Sequence, residues 1–214
     1  MFILAATPMN RLDGVPRGVA IPEIRQQLFA AAERVILRDG PDRLSGRAVT
    51  GEAGVATGLL YAHFADFDDF LAAYAIDRSF VVSAAAAALP ERAGSGSVAG
   101  NLCDAVLSTA PSTVLALTRV LISRPQLAGH TRRVLGDRTA GLDAIEGAAA
   151  AYLAAEQRLG RVAPAAEPAA LALALVGVLQ RLILAADNES DLRARLRQAV
   201  TALVTSYTTA APHQ

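Results

Sequence analysis

The side chains that most often carry chemistry are few and scattered in this chain. The three histidines are His63, His130 and His213, and the single cysteine is Cys103. These histidines do not have the local spacing of a familiar metal site, and Cys103 has no basic neighbour in sequence that would activate its thiol. The GSGS stretch at 94–97 follows no predicted strand, so it is neither a phosphate loop nor a nucleophile elbow. The sequence therefore predicts no enzyme, no cofactor and no metal site.

A different chemistry, contact with DNA, is indicated by the stretch AGVATGLLYAHF at 53–64. Gly54 permits the left-handed backbone of a sharp turn between two helices. The helix predicted after the turn contains no Arg, Lys, Asn or Gln, which are the side chains that read guanine or adenine by paired hydrogen bonds. Thr57, Leu59 and Tyr61 offer only a hydroxyl or an apolar contact to a thymine methyl group.

Composition indicates an all-helical protein. Of 214 residues, 53% are apolar, and these are mostly Ala and Leu in helical patterns without the alternation typical of strands. All twenty basic residues are Arg and the formal net charge is zero, so no long-range attraction to nucleic acid or to an anionic membrane is expected. The most apolar stretch, Ala169–Leu179, is shorter than the roughly 20 residues of a spanning helix. We therefore expect a cytoplasmic protein with no membrane partner, and Met9 is an alternative start.

Helical periodicity and capping residues divide the chain into about nine predicted helices. A first helix runs from Pro22 to Gly40, Ser45 can cap a second, and Asp66 can cap a fourth. The order indicates a three-helix N-terminal domain with a helix-turn-helix, followed by a larger helical bundle. The predicted units are a flexible arm at 1–20, a DNA-binding domain at 21–66, and an effector-binding and dimerisation domain at 67–214.

The predicted helix at 167–186 is apolar almost all round, and such a helix must be covered on both sides. A last helix at 190–208 has one apolar stripe. Two such helices from each of two subunits would form a four-helix interface, although one subunit could also cover both by itself. The residues predicted at this interface are Leu171, Leu175, Val178, Leu182, Leu192, Leu196, Leu203 and Tyr207.

Residues 24–74 resemble the DNA-binding domain of TetR-type transcriptional regulators. The resemblance rests on IRQQLFAAAERVILRDG in the first helix, the turn AGV at 53–55, and GLLYAHF at 58–64 followed by the acidic FDDFL. It implies three N-terminal helices and a larger helical domain that binds a small molecule and dimerises through its last two helices. By position, the resemblance places Tyr61 and His63 at backbone phosphates, with Phe64 packing the small domain. The predicted DNA-binding residues are Arg43, Arg47, Ala56, Thr57, Gly58, Leu59, Tyr61 and His63.

Three departures from the family pattern predict weak binding to DNA. Ala56 replaces the usual Ser or Thr, Leu59 replaces a hydroxyl residue, and Phe67 occupies the position of a phosphate-binding Lys. Residues 21–72 contain five arginines and eight acidic residues, so their net charge is minus three. Because release of counterions from phosphates supplies most nonspecific affinity, we expect weak or narrowly specific binding to a double-stranded operator.

The primary hypothesis is a homodimeric, ligand-responsive regulator, either a repressor released by a small apolar or amphipathic effector or an activator. The alternative is a helical small-molecule-binding or scaffold dimer of the same fold that has weakened or lost DNA binding. Either function needs a cavity in the second domain. The residues predicted to line it are Phe80, Asp104, Leu107, Leu115, Arg119, Leu142, Ile145 and Tyr152.

Overall fold

Ten α-helices form the part of the chain that the computed structural model describes, residues 21–136, 141–185 and 189–208. The arm predicted at 1–20 lies outside these residues. The helices are α1 (Ile21–Asp39), α2 (Gly46–Ala53), α3 (Thr57–His63), α4 (Phe67–Ala87), α5 (Val98–Val106), α6 (Pro111–Ser123), α7 (Pro125–Leu135), α8 (Leu142–Arg158), α9 (Pro168–Ala185) and α10 (Glu189–Thr205). The all-helical fold with an N-terminal helix-turn-helix is confirmed.

The structure has one helix more than predicted, because two helices, α7 and α8, form between Pro125 and Arg158. The glycines that flank the break, Gly136 and Gly141, have φ angles of 91° and 58°. L-residues with a side chain rarely adopt such angles, so the helical path is interrupted where glycine is available.

The local signals around the helix-turn-helix act as predicted. The Ser45 hydroxyl accepts a hydrogen bond from the Ala48 amide at the start of α2, and Gly54 ends α2 with φ of 71°. At α4, the Asp66 carboxylate accepts from the Asp69 amide at 2.8 Å. These caps satisfy amides that the first turn of a helix leaves unpaired, which fixes where α2 and α4 begin.

An aromatic cluster holds α3 and α4 against α1. The ring of Phe29 lies 6.0 Å from Phe64, 5.6 Å from Phe70 and 5.9 Å from Tyr74, measured between centroids. Phe64 and Phe70 meet edge to face at 5.1 Å, a geometry that aromatic rings favour. All four side chains are buried, so the predicted packing role of Phe64 is confirmed.

A polar network joins α1 to α4 and α6. Arg78 of α4 is buried, and its Nε lies 2.6 Å from Oε1 of Glu33 in α1, an ion-pair contact without hydrogen-bond alignment. The same guanidinium donates to Gln26 of α1 at 3.0 Å. Thr113 of α6 donates to the other carboxylate oxygen of Glu33 at 3.3 Å. A buried charge needs such partners, so this network fixes the N-terminal helix on the larger domain.

Among the described residues, two helical segments are long and apolar enough, by length and composition alone, to cross a membrane: Phe67–Arg92 and Pro168–Ala185. The expectation that the most apolar stretch is too short is therefore wrong, because α9 continues past Leu179, where that stretch ends. Within the fold α4 packs against α6, α7 and α8, and α9 packs against α8 and α10. Helices in the interior of a helical protein are equally apolar. The absence of a membrane partner remains a prediction.

We expect Arg78→Met to lower the free energy of unfolding by about 3 kcal/mol, because it leaves the largely buried Glu33 carboxylate without its cation. Urea denaturation of the purified protein measures the change. The double variant Glu33→Leu/Arg78→Met should recover part of the loss, since it removes the uncompensated charge. Equal stability of Arg78→Met and the wild type would contradict the structural role of the pair.

Candidate nucleic-acid interface and effector cavity

The outer surface of α3 is uncharged and largely exposed. Thr57, Gly58 and Tyr61 are exposed, Leu59 and His63 are half-buried, and Leu60 is in the core. Helical spacing accounts for this division, because the side that carries Leu60 faces the core. Five of the eight residues predicted for DNA contact therefore lie on one short helix. Their contact with DNA remains a prediction.

The start of α3 lacks the side-chain cap that the family pattern would supply. Ala56 is the N-cap residue, and it is exposed and makes no side-chain hydrogen bond to the helix. The Thr57 hydroxyl instead lies 3.3 Å from the hydroxyl of Thr50 in α2. Thr50 also donates to the carbonyl of Gly46 at 2.8 Å. The two threonines thus link α2 to α3 from within the chain.

Tyr61 is fixed against the first residue of α2. A Cβ atom built at Gly46 would lie 2.9 Å from the Tyr61 hydroxyl oxygen, closer than real Cβ contacts come. Half of the Tyr61 side chain is nevertheless exposed. The missing side chain at Gly46 therefore leaves room for the Tyr61 hydroxyl beside the first turn of α2.

The arginines near this surface fall into two groups. Arg34 and Arg38 of α1 contact the two carboxylate oxygens of Glu52 at 2.7 and 2.6 Å, so their charges are used within the domain. The side chains of Arg43 and Arg47 are exposed and form no hydrogen bond or close ion pair with the residues that the structure describes, although the charge of Arg43 acts on nearby Asp39. Arg43 and Arg47 are therefore available to phosphate, as their prediction requires.

Hydrogen bonds from Arg34 and Arg38 lower the pKa of the Glu52 carboxyl below its ordinary value of 4.5. A carboxyl with a lowered pKa in the folded state stabilises the protein above its unfolded pKa, and that contribution is lost as the pH falls through the folded value. The Glu52 contribution should therefore begin to fall near pH 4.5 and be lost as the pH drops through the lowered pKa of the folded state.

We expect Glu52→Gln to be less stable than the wild type at pH 7, with a difference that narrows as the pH falls below about 4.5. Urea midpoints of both proteins across this range measure the effect. Glu91→Gln, a substitution at an exposed residue outside the domain, is the control and should show no comparable pH-dependent difference. A difference that is constant with pH would contradict the assignment to Glu52.

A cavity of about 220 Å³ lies between α4, α6, α7, α8 and α9. Its lining combines aliphatic side chains with hydroxyl groups, and Arg132, Asp143 and Gln180 are its charged and amide residues. The lining residues are Ser79, Val82, Val114, Leu117, Thr118, Leu121, Ile122, Ala128, Thr131, Arg132, Gly141, Leu142, Asp143 and Gln180. Such a concave, mainly apolar space with a few polar groups is typical of a small-molecule site.

Of the eight residues predicted to line an effector cavity, Leu142 lines this one. Phe80 is exposed and lines a separate, more open groove with residues of α7 and α8. Asp104 is exposed and pairs loosely with Arg92, and Arg119 donates to the carbonyl oxygens of Ile36 and Leu37. Leu107, Leu115, Ile145 and Tyr152 pack in the core, with Leu115 half-buried. Ligand contact by the eight remains a prediction.

The sequence analysis does not predict Ser79 and Thr118, two buried hydroxyl residues that line the cavity. The available signal is a small polar residue next to apolar runs. Ser79 stands between Arg78 and FVV of α4, and Thr118, together with Arg119, separates VLAL from VLI of α6. Facing could not be assigned on α4, however, because it has no continuous polar side.

The residues predicted at a dimer interface lie mostly inside the single chain. Leu175, Leu182, Leu192 and Leu196 are buried, whereas Tyr207 is exposed. Leu171, Val178 and Leu203 are half-buried and pack against the core. The exposed side of α9 instead carries Ala170, Leu173, Gly177, Gln180 and Leu184. Participation of the predicted residues in a dimer remains untested.

Comparison with known proteins assigns the class of this architecture. Residues 28–74 match the family model described as bacterial regulatory proteins of the tetR family. No curated protein matches the chain in sequence. Residues 28–74 thus resemble the helix-turn-helix domain of the tetR family, and the resemblance inferred from the sequence is confirmed.

Solved structures of regulators share the fold over most of the chain. One is a TetR-family transcriptional regulator from Rhodococcus sp., 20% identical, with a TM-score of 0.63 over 85% of this chain and 98% of that one. A transcriptional regulator from Saccharomonospora viridis in complex with choline is 16% identical, with a TM-score of 0.68 over 88% and 100%. A TetR transcription regulator from Haloarcula marismortui is 13% identical, with a TM-score of 0.65 over 88% and 100%. At these identities the likeness establishes the fold alone.

Proposed function

We propose that this protein is a homodimeric regulator that binds double-stranded DNA through α2 and α3 and responds to a small molecule. The observation that carries the proposal is the exposed face of α3, on a TetR-type helix-turn-helix that also carries two exposed arginines, Arg43 and Arg47, without a close ion pair to a described residue. Helices of this kind enter the major groove while flanking cations contact phosphates. Regulation of this kind takes place in the cytoplasm.

The proposed DNA contacts are few, so binding is weak at physiological salt. Arg43 and Arg47 supply two phosphate contacts in each DNA-binding domain, so a dimer supplies four from its described residues. Because each neutralised phosphate contributes about −0.9 to the slope of log K against log salt, the slope should be about −3.6 before any contribution from residues 1–20. Base readout is limited to the hydroxyls of Thr57 and Tyr61 and the apolar contact of Leu59.

We expect Tyr61→Ala to weaken binding to DNA from the protein's own promoter region about tenfold, because it removes a phosphate or base contact from each of two heads. Fluorescence anisotropy with excess nonspecific competitor measures this, and size exclusion with light scattering checks that the oligomeric state is unchanged. Val134→Ala, at an exposed position on α7, is the control. Absence of salt-dependent, competitor-resistant binding by the wild type would refute DNA-binding regulation.

The dimer is supported by the exposed apolar side of α9. Leu173 and Leu184 are 61% and 50% exposed, and Gly177 between them has nothing within 4 Å of the place a Cβ would occupy. A stripe of this kind allows close approach of a second helix and buries apolar area in both copies. A two-fold axis at this face would pair the two DNA-binding domains. Their α3 helices need a separation of about 34–36 Å to enter successive major grooves.

Leu173→Glu is expected to convert the dimer into a monomer at micromolar concentration, because pairing would bury two carboxylates against the partner copy. Size exclusion with light scattering reports the mass. The matched variant Val134→Glu places the same charge at an exposed position of α7 and should stay dimeric. A wild-type monomer, or a dimeric Leu173→Glu protein, would refute this interface.

Effector control is proposed to reach the DNA-binding domain through α4 and α6. Both helices line the cavity, through Ser79 and Val114, and both contact Glu33 of α1, through Arg78 and Thr113. A ligand can change the relative position of the two DNA-binding domains only if it binds one arrangement of the dimer more tightly than the other. By analogy with the family, we favour a repressor that leaves DNA when it binds its ligand.

A second candidate function is a small-molecule-binding or scaffold dimer that no longer binds DNA. The observation that favours it is the absence of a cation on α3, together with an uncapped helix start at Ala56. The same anisotropy experiment separates the two functions. This candidate requires that the folded dimer show no specific DNA binding at low salt.

A further inference from the structure

Ser79 presents a buried hydroxyl without a hydrogen-bond partner to the cavity. The residue is 1% exposed, lines the cavity, and its Oγ has no partner among the described residues. Ser83, one turn later on α4, shows the usual alternative, because its Oγ donates to the Ser79 carbonyl at 2.7 Å. Buried hydroxyls in native proteins are nearly always bonded. The unpaired hydroxyl of Ser79 therefore indicates where a guest molecule would be bound.

The walls around Ser79 restrict the chemistry of that guest. They are formed mainly by Val82, Val114, Leu117 and Leu121, and no aromatic residue is among the described lining residues. A quaternary ammonium group is recognised by the faces of aromatic rings, which these walls lack. Aliphatic walls instead favour a saturated hydrocarbon portion, at roughly 25 cal/mol per Å² of apolar area buried.

The two charged side chains among the described lining residues neutralise each other. Arg132 of α7 and Asp143 of α8 approach to 3.6 Å, and both side chains are about half exposed, which places the pair at the solvent side. Thr131 is also engaged, since its hydroxyl donates to the Leu127 carbonyl at 2.9 Å. A charged ligand would have to break the ion pair to gain a partner, and would lose its own hydration on entry. The lining therefore favours an uncharged molecule.

We propose that the cavity binds a neutral aliphatic amphiphile with one hydroxyl or carbonyl group, which forms a hydrogen bond with Ser79. An apolar cavity of about 150 Å³ holds benzene. By proportion, the 220 Å³ here fits a molecule of about nine non-hydrogen atoms. The inference rests on the proposed function only for the role of this molecule as an effector, because its binding requires no DNA.

The test is isothermal titration calorimetry of the full-length protein without DNA. The probes are 1-octanol, octanoate and hexyltrimethylammonium, which have similar size and differ in charge. 1-Octanol should bind at least tenfold more tightly than either ion. Tighter binding of octanoate or of the ammonium compound, or no binding of 1-octanol, would overturn the proposal.

Ser79→Ala tests the hydrogen bond. It should weaken binding of 1-octanol about fivefold, the ratio expected for loss of one neutral hydrogen bond. Ser123→Ala is the matched control, because its hydroxyl lies outside the cavity on α6 and donates to the Val120 carbonyl. An unchanged affinity of Ser79→Ala, or an equal loss in Ser123→Ala, would overturn the role of Ser79.

The place of binding is tested by filling space. Ala128→Phe puts a ring into the cavity and should abolish binding, whereas Ala84→Phe fills the separate groove beside Phe80 and should not. Circular dichroism confirms that both variants are folded, and if Ala128→Phe is not, Ala128→Leu replaces it. The reverse pattern would overturn the assignment. Failure of DNA binding in the anisotropy experiment leaves these titrations unaffected, so the two proposals fail separately.

Discussion

The buried ion pair of Arg78 and Glu33 is the constraint on which the arrangement of the two parts depends. Hydrophobic contacts are non-directional and would allow α1 to slide on the helices beneath it. A guanidinium held by Glu33 and Gln26 allows only one register. Thr113 adds a third element to the same carboxylate. The orientation of α2, which packs on α1, and of α3, which packs on α2, follows from this fixed position.

The candidate nucleic-acid interface has few free positive charges. Arg34 and Arg38 of α1 pair with Glu52 of α2 and so hold the two helices together. These two arginines stabilise the small domain, and their charges are therefore less available to phosphate. The contact of Tyr61 with Gly46 restricts one side of an otherwise half-exposed ring. Under the proposed function, a restricted Tyr61 would lose less entropy on binding DNA.

Much of the fold followed from local chemistry that the sequence displays directly. Ser45, Gly54 and Asp66 act at helix ends, where side-chain type and backbone angle are closely coupled, and all three act as predicted. Phe64 was predicted to be buried because helical spacing and family position agreed. Signals of this kind need only a few neighbouring residues.

The candidate cavity could not be predicted in the same way. Its walls come from five helices, and the apolar composition of α4 and α9 leaves no polar side from which to read facing. Phe80 and Leu173 illustrate the result, since both are large apolar residues that face outward. Tertiary packing decides which side of an almost uniformly apolar helix is covered by other helices. The sequence of that helix alone does not contain this information.

The adjacency of Arg78 and Ser79 has a mechanical consequence. Successive residues of an α-helix project about 100° apart, so one residue of this pair faces the reading domain while the next faces the cavity. The ion pair of Arg78 and the cavity wall at Ser79 need no intermediate side chains to be coupled, because both residues belong to the same turn of α4. A rotation of α4 about its own axis would turn both side chains by the same angle. A bound molecule that resists this rotation would therefore also restrict the contact between α4 and α1.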